Sequence, residues 1–417
     1  MTNTAIIGGG PAGMMAAFAA ARTDTVTLYE KNEKLGKKLF LTGKGRCNIT
    51  NVGELEDFFN HIPGNAKFLY SAFSCFSNKD LIALLNKEGL TTKMERGGRI
   101  FPASDKSSDV IKTLSRMLAA VGVQVCFNSH VEEILVKESR VTGLKVDGEQ
   151  RMFDKVILAT GGLSYPKTGS TGEGYAMAQA LGHRLKATHP SLIPLVAHDI
   201  ALCRRLMGVS LKNVAMQLYE KGKKTYSGLG EMLFTHFGVT GPLVLSASAY
   251  IRDYTFADTY IALDLKPGLD DKKLDERILR DFSEFSNKQL KNAIYKLLPR
   301  ALCPEVIDYA DLDGEKYVNE TTRTERLRLI SALKAFTIRI VGTRSIDEAI
   351  ITKGGIDLRD VNASTMESKL VKGLFFAGEI LDVDACTGGY NLQIAFSTGY
   401  LSGMGRQSII DNHNQLY

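Results

Sequence analysis

The apolar positions fall into short runs that stop at glycine, separated by longer stretches with helical spacing. Thr4-Ala5-Ile6-Ile7 is the first run, with the length and character of a buried strand. It breaks into Gly8-Gly9-Gly10-Pro11-Ala12-Gly13, and Met14 to Arg22 is alanine-rich and reads as helix. Thr25 to Tyr29 reads as a second strand ending on Glu30. Residues 54 to 90 look helical, ending at Gly89, and Arg96 to Pro102 reads as a turn. Val110, Ile111, Leu114, Met117, Leu118 and Val121 make one helical stripe, with Ser107 or Ser108 as its cap and Gly122 as its end. Val123 to Val125 begins a strand, and Val131–Val136 with Val141–Val146 forms a hairpin turning near Glu138-Ser139. Lys155-Val156-Ile157-Leu158-Ala159-Thr160-Gly161-Gly162 is an apolar strand stopping in another small-residue turn, and Gly169–Gly174 opens a helix through Leu181.

From about Leu192 the pattern changes to short β-like pieces, followed by charged helical sequence over residues 270 to 335. The tail returns to sheet: Leu374 to Glu379 is an apolar strand ending in Gly-Glu, and Thr387-Gly388-Gly389-Tyr390-Asn391 opens a final helix to about Gly403. The expected fold class is α/β, with a dinucleotide-binding domain formed from both chain ends, 1–190 and 339–417. Residues 191–338 form an inserted domain, β-barrel first and helical second.

Composition excludes more than it assigns. Of 417 residues, 44% are hydrophobic and 24% charged, ordinary for a globular protein. The net charge of +6 comes without the clustered Lys/Arg face of a nucleic-acid binder, so no nucleic-acid partner is expected. Six scattered cysteines contain no C-x-x-C, which argues against a redox dithiol and a zinc site, and no metal is expected. No apolar run approaches the roughly 18 residues of a membrane span. The glycine loop begins at residue 8, leaving no room for a signal peptide, so a cytoplasmic location is expected. Oligomeric state leaves no signal.

The first stretch carries the strongest chemistry. Gly8 allows a tight turn, Gly10 lets the backbone approach a pyrophosphate, and Gly13 lets helix and strand pack closely. Pro11 suits a first helical turn, where its missing N–H would be unpaired anyway. A diphosphate then sits on free N–H groups at the helix N-terminus, and Glu30 is placed to accept from a ribose hydroxyl. Leu41 to Asn51 is a second glycine-rich loop with cationic side chains, suited to wrapping an anionic or polar ligand; an ordinary exposed loop is the alternative. Glu30 does not separate FAD from NAD. The second acidic strand end at Gly378-Glu379, with a helix start at Gly388-Gly389, favours a flavin, whose ribityl chain and reduced ring use a carboxylate and a helix dipole.

The set GGGPAG, LTGKGRCNITN, GGRIFPASDK, ATGGLSYPKTGSTGEGY, GEMLFTHFGVTGP, TMESKL and LFFAGEILDVDACTGGYNLQIAFSTG resembles the YhiN or HI-0933-like family of bacterial FAD-dependent flavoproteins, which includes aminoacetone oxidase-like and BaiN-like members. The resemblance spans nearly the whole chain and implies a glutathione-reductase-type FAD domain with an inserted barrel-plus-helical domain. By motif, it implies that Gly8, Gly10, Pro11, Ala12 and Gly13 cradle the diphosphate and Glu30, with Lys31 beside it, serves the adenosine ribose. Lys38, Thr42, Gly43, Arg46 and Asn48 would line the cofactor, and the backbone of Val131 would meet the adenine. Ala159, Thr160 and Gly161 would pass behind it, Gly378 and Glu379 would meet the ribityl–phosphate part, and Gly389, Asn391 and Leu392 would cover the pyrimidine edge. Ala385-Cys386 stands where a glycine and a variable residue are expected; a redox-active Cys386 and an inert one are both open.

The implied function is an FAD-dependent oxidoreductase, reductase or amine oxidase, acting on a small organic substrate by hydride transfer at flavin N5. No second G-x-G-x-x-G follows a strand, so NADH or NADPH would serve only as a transient donor. No catalytic acid–base set stands out; His236 and Tyr165 are polar side chains in glycine-rich turns, and Arg46 and Arg99 suit a carboxylate substrate, with structural roles as the alternative. Two other readings stay open: an RNA-modifying flavoprotein and a flavin-binding redox sensor without turnover.

Overall fold

The computed structural model describes residues 1–404, so the end of the expected third segment, 405–417, lies outside the described residues. The chain divides into two compact units, Met1–Ser191 with the stretch from Ser345 onward, and Leu192–Arg344.

The first unit opens with β1 (Asn3–Ile7), α1 (Pro11–Ala20), β2 (Thr25–Glu30), a short helix α2 (Lys37–Leu41) and β3 (Thr50–Asn51). Residues 54–90 are not one helix but α3 (Leu55–Asn60), α4 (Tyr70–Cys75) and α5 (Asn78–Lys87). Pro63-Gly64 interrupts the helical pattern, and Ser77 starts a new helix with a capping box: its N–H donates to the Asp80 carboxylate at 2.8 Å and its hydroxyl accepts from the Asp80 N–H at 3.2 Å. β4 (Thr92–Glu95) and β5 (Arg99–Pro102) pair with β3 alongside, so half of the stretch expected as a turn is strand. α6 (Ser107–Ala120) carries the apolar stripe, but Ser107 sits inside its first turn and donates its hydroxyl to the Phe40 carbonyl at 2.9 Å instead of capping. β6 (Gln124–Phe127) leads to an antiparallel sheet of β7 (Val131–Lys137), β8 (Arg140–Val146) and β9 (Glu149–Met152). β10 (Lys155–Leu158), α7 (Glu173–Ala180) and β11 (Leu185–Ser191) complete this half.

The second unit begins with β12 (Leu195–Ala197), α8 (Ile200–Arg205), the long hairpin β13 (Ser210–Glu220) and β14 (Lys223–Thr235), β15 (Gly238–Thr240), α9 (Pro242–Ser248) and β16 (Thr259–Asp264). Four helices follow, α10 (Asp271–Glu284), α11 (Leu290–Ala293), α12 (Leu302–Tyr309) and α13 (Arg323–Lys334), before β17 (Phe336–Thr343). The strands close into a barrel in the order β12-β15-β14-β13-β16-β17. The boundary expected at 338–339 falls inside β17. That strand is needed to close the barrel between β16 and β12, so the unit runs on to Arg344.

The chain then re-enters the first unit through β18 (Ile351–Ile356), paired with β11, β19 (Leu374–Phe376) and the final helix α14 (Tyr390–Gly403). A five-stranded parallel sheet results, in the order β19-β10-β1-β2-β6. Alternate side chains divide between its faces, as the two-residue period requires. Ile6, Leu28, Ile157 and Phe375 join α1, α6 and α14 in one core; Ala5, Ile7, Tyr29, Leu158 and Phe376 join β7 and β8 in another. Both faces are covered, which is why these strands read as unbroken apolar runs.

α14 lies hard against α1. A β-carbon on Gly399 would fall 2.3 Å from the Ala12 carbonyl oxygen, and one on Gly403 would fall 2.4 Å from that of Ala16. The last carbonyls of α14 lack intrahelical partners; buried Lys155 on β10 takes one of them, donating to the Gly403 oxygen at 3.0 Å with its ammonium 4.6 Å from the centre of the Phe375 ring. Burial pulls Lys155 down to about 8. Gly399→Leu is therefore expected to lower stability by at least about 2 kcal/mol through overpacking. Gly342→Ala, where a β-carbon meets nothing within 4 Å, should stay near wild type. Thermal melting followed by circular dichroism checks both; equal melting points would remove the close-packing account.

Candidate functional site: a dinucleotide cradle built from both chain ends

The cradle starts where β1 ends. The Gly8 N–H donates to the Tyr29 carbonyl at 2.9 Å, which hooks the loop to β2. Gly8 holds φ +105, and a β-carbon there would lie 2.6 Å from the Ala159 oxygen; one on Gly13 would lie 1.9 Å from the Gly8 oxygen. These two glycines are demanded by the protein's own packing. Gly10 is not: a β-carbon there would meet nothing within 4 Å. Pro11 occupies the first helical position, and the first helical bond is Met14 N–H to the Gly10 oxygen at 2.9 Å, so the Ala12 and Gly13 donors precede the ladder. Glu30 is buried, accepting from the Gly9 N–H at 2.8 Å and from the Asn32 backbone and side chain at 2.8 and 2.6 Å. It thus orders the glycine loop from below. Ser129 N–H reaches the Glu30 carbonyl at 3.2 Å, bringing Val131 at the start of β7 next to the end of β2.

A second group sits between chain ends. Lys38 pairs with Glu379 and donates to the Ser164 hydroxyl at 2.7 Å. Glu379 also accepts from Ser164 Oγ and from the Thr352 N–H, each at 2.9 Å, while Thr352 Oγ1 accepts from the backbone of Leu163 and Ser164 at 2.8 and 3.1 Å. Ala159 N–H bonds the Ile7 oxygen at 2.9 Å, so Ala159, Thr160 and Gly161 lie behind the Gly8 turn. Gly378 donates to Thr398 Oγ1 at 2.9 Å and rests on Ala12. Ser164 and Thr352 escaped the sequence reading. Ser164 lies in a motif that was noted for its glycines, and Thr352 stands on a strand with no local signature.

The remaining expected residues divide. In the Thr42–Asn48 loop, Gly43, Lys44 and Cys47 hold left-handed conformations, and Cys47 N–H closes the loop on the Thr42 oxygen at 3.0 Å. The Cys47 thiol is pushed up to about 12 by burial. Asn48 Oδ1 and Thr160 Oγ1 are buried with no hydrogen-bond partner. Gly389 presses its backbone on Thr50, and Leu392 packs on the core beneath α1. Three of the expected side chains have partners within the protein. Arg46 is held by Glu95 and Asp105, with its guanidinium 4.3 Å from the Phe101 ring centre. Lys31 bonds Thr171 and Glu173, both at 2.8 Å. Asn391 closes its amide on the backbone of Ala385 and Cys386, stapling the turn before α14. Arg46 and Lys31 reach partners 49 to 142 residues away, whereas Asn391 closes on residues five and six positions before it. Cys386 is buried, its N–H bonding the His61 oxygen at 2.8 Å beside the stacked His61–Tyr390 pair. Tyr165 lies in the first unit at a left-handed turn, and His236 lies in the second unit between β14 and β15, its ring edge-on to Phe237.

Open space over Gly10, unpaired donors at the start of α1 and orphaned buried oxygens on Asn48 and Thr160 fit a dinucleotide that carries a polar ring system. The fold and cradle define a Rossmann-type dinucleotide-binding protein. The profile of the HI0933-like protein Rossmann domain matches residues 2–405, and the chain belongs to that family of FAD-dependent oxidoreductases. A 3-dehydro-bile acid delta(4,6)-reductase of Clostridium scindens is 30% identical over 409 residues, 97% of this chain and 98% of the relative. A ribosomal RNA dihydrouridine synthase of Haemophilus influenzae is 30% identical over 400 residues, 95% of this chain and 96% of the relative. Among solved structures, a 3-ketosteroid delta1-dehydrogenase of Sterolibacterium denitrificans shares the fold at 12% identity and TM-score 0.53, over 99% of this chain and 100% of that one. Among the described residues, no helix is long and apolar enough to cross a membrane.

Beside Glu379 stands an acid pair that the sequence reading passed over. Asp384 is buried, accepts from Ser191 Oγ at 2.6 Å and is raised by burial. Asp382 is raised to about 6, first by burial and then by Asp384. An acid raised on folding stabilises the folded state only while protonated, so this contribution is lost as pH rises from 3.8 towards 6. Asp382→Asn is expected to melt higher than wild type at pH 8, with the gap closing by pH 4. Melting curves across that range test it, and a gap independent of pH would refute the assignment.

Proposed function

We propose that this protein is an FAD-dependent reductase of carbon–carbon double bonds conjugated to a carbonyl, with NADH or NADPH as a transient electron donor. The observation that carries this reading is the pair of full-length relatives at equal identity: a delta(4,6) reduction of a 3-oxo steroid and formation of dihydrouridine both saturate such a bond. FAD, when bound, supplies a hydride at N5.

The chain's own residues supply position and charge. The start of α1, with the Ala12 and Gly13 N–H groups and its positive dipole end, would hold the diphosphate. Glu30 has one acceptor position left for a ribose hydroxyl: Oε1 takes both Asn32 bonds, whereas Oε2 takes only the Gly9 N–H. Glu379, neutralised by Lys38 and braced by Ser164 and Thr352, would face the ribityl side. The start of α14 would set its dipole against negative charge on the ring. The orphaned Asn48 oxygen would accept from a ring N–H.

The test is an anaerobic titration of the purified protein. A flavin band bleached by NADH or NADPH, then restored by an α,β-unsaturated ketone or a uridine-containing RNA, is the expected result. A flavin that stays oxidised with both nucleotides, while amines release hydrogen peroxide, would replace the reductase reading with an oxidase. Gly10→Val should lose bound FAD, measured as the flavin-to-protein absorbance ratio, while its melting point in the absence of flavin stays close to wild type.

A further inference from the structure

The barrel of the second unit carries on its outer wall a row of side chains drawn from four strands. The register sets Lys224 of β14 opposite Tyr219 of β13, Tyr219 opposite Tyr260 of β16, and Tyr260 opposite Arg339 of β17. The neighbours Leu218, Ile261 and Ile338 are buried inside the barrel, so the alternation of each strand turns this row outward. The two tyrosine rings stack, with centroids 4.9 Å apart and planes 8° from parallel, and the Tyr219 hydroxyl donates to Gln217. Lys224 and Arg339 are exposed, and among the described residues neither makes an ion pair. Lys221, just beyond the row in the β13–β14 turn, is paired with Asp253 at 2.6 Å. The adjacent outward row, Ser227, Gln217, Ala262 and Thr337, is small or polar and leaves the rings standing on a low surface.

A cross-strand aromatic pair by itself stabilises a sheet. It does not call for uncompensated cations at both ends of the same row. Half-buried rings on the barrel wall, between cations without ion pairs, suit a ligand with flat bases and a phosphate backbone, since bases stack on aromatic rings while Lys and Arg neutralise phosphates. The row spans about 14 Å across four strands, comparable to the sheet platforms on which RNA-recognition domains stack two or three bases. An acidic peptide would use the cations and leave the rings idle. The Lys221-Gly222-Lys223-Lys224 turn marks one end of this face in the sequence, whereas Arg339 at the other end comes from a strand far along the chain.

We propose that the outer wall of the barrel, centred on Tyr219 and Tyr260, is a docking surface for single-stranded or looped RNA. The proposal rests on the reductase reading only for the role of that RNA, as the carrier of a uracil to be reduced. The test uses the full FAD-loaded chain and a fluorescein-labelled oligouridine of about twenty nucleotides, long enough for a single-strand site, read by anisotropy over a salt series. Wild type should bind, with affinity falling as salt rises. Tyr219→Thr with Tyr260→Thr should weaken binding at least about tenfold, whereas Tyr219→Phe with Tyr260→Phe should stay within about twofold, because stacking needs the ring and not the hydroxyl. Lys224→Ala with Arg339→Ala should reduce the salt slope by about two. Unchanged melting points and flavin content identify variants that remain folded. Threonine variants that bind like wild type, or competition by oligoglutamate as strong as by unlabelled RNA, would overturn the proposal. Flavin bleaching by NADPH is read on the same samples. A protein that is reduced and turns over an unsaturated ketone but ignores RNA loses only the docking surface; one that binds RNA through the tyrosines but is not reduced loses only the reductase reading.

Discussion

The closeness of α1 and α14 is the constraint on which the site depends. Gly399 and Gly403 bring the backbone of the last helix onto the carbonyls of Ala12 and Ala16, nearer than any side chain would allow. That contact runs parallel and sets the second half of α14 along α1, so the N-terminus of α14 projects about 12 Å beyond that of α1 and both positive dipole ends point the same way. Lys155 holds the arrangement from beneath, covering the end of α14 with a buried ammonium. A larger residue at either glycine would lift Gly378 and Glu379 away from the Gly8 turn.

The cradle is a charge-balanced structure, not a basic patch. Lys38 is matched by Glu379, Lys31 by Glu173, and Arg46 by Glu95 and Asp105. On the proposed reading, a diphosphate would be held by backbone N–H groups and the α1 dipole, which cost no side-chain reorganisation. Cations already held by carboxylates keep the surrounding loops in place. The same economy explains Asn391, whose amide closes a turn so that the backbone of Gly389 meets Thr50.

The two units divide the work. The first is a parallel sheet covered on both faces, with the site at the carboxyl ends of its strands, the usual place for a ligand in an open α/β sheet. The second closes its edges into a barrel and fills the inside with apolar side chains, leaving its outer wall free to vary.

What the sequence determined by itself was local and periodic. The strand, glycine turn, helix and acid of Thr4–Glu30, the hairpin of β7 and β8 and the return of the tail to the sheet were legible, because each rests on hydrogen bonds or alternation within a few residues. The break-up of residues 54–90 was legible in principle from Pro63-Gly64 and Ser77. Only the tertiary structure decided which charges are free. Arg46, Lys31 and Asn391, expected at a ligand, have partners within the protein, while Ser164, Thr352 and Asp384, which had no local signature, stand at Glu379. Side-chain pairing is set by approach in space, and the residues that meet here lie as far apart as Lys38 and Glu379. No spacing rule reaches that far, since the distance between them exists only once α14 has seated on α1.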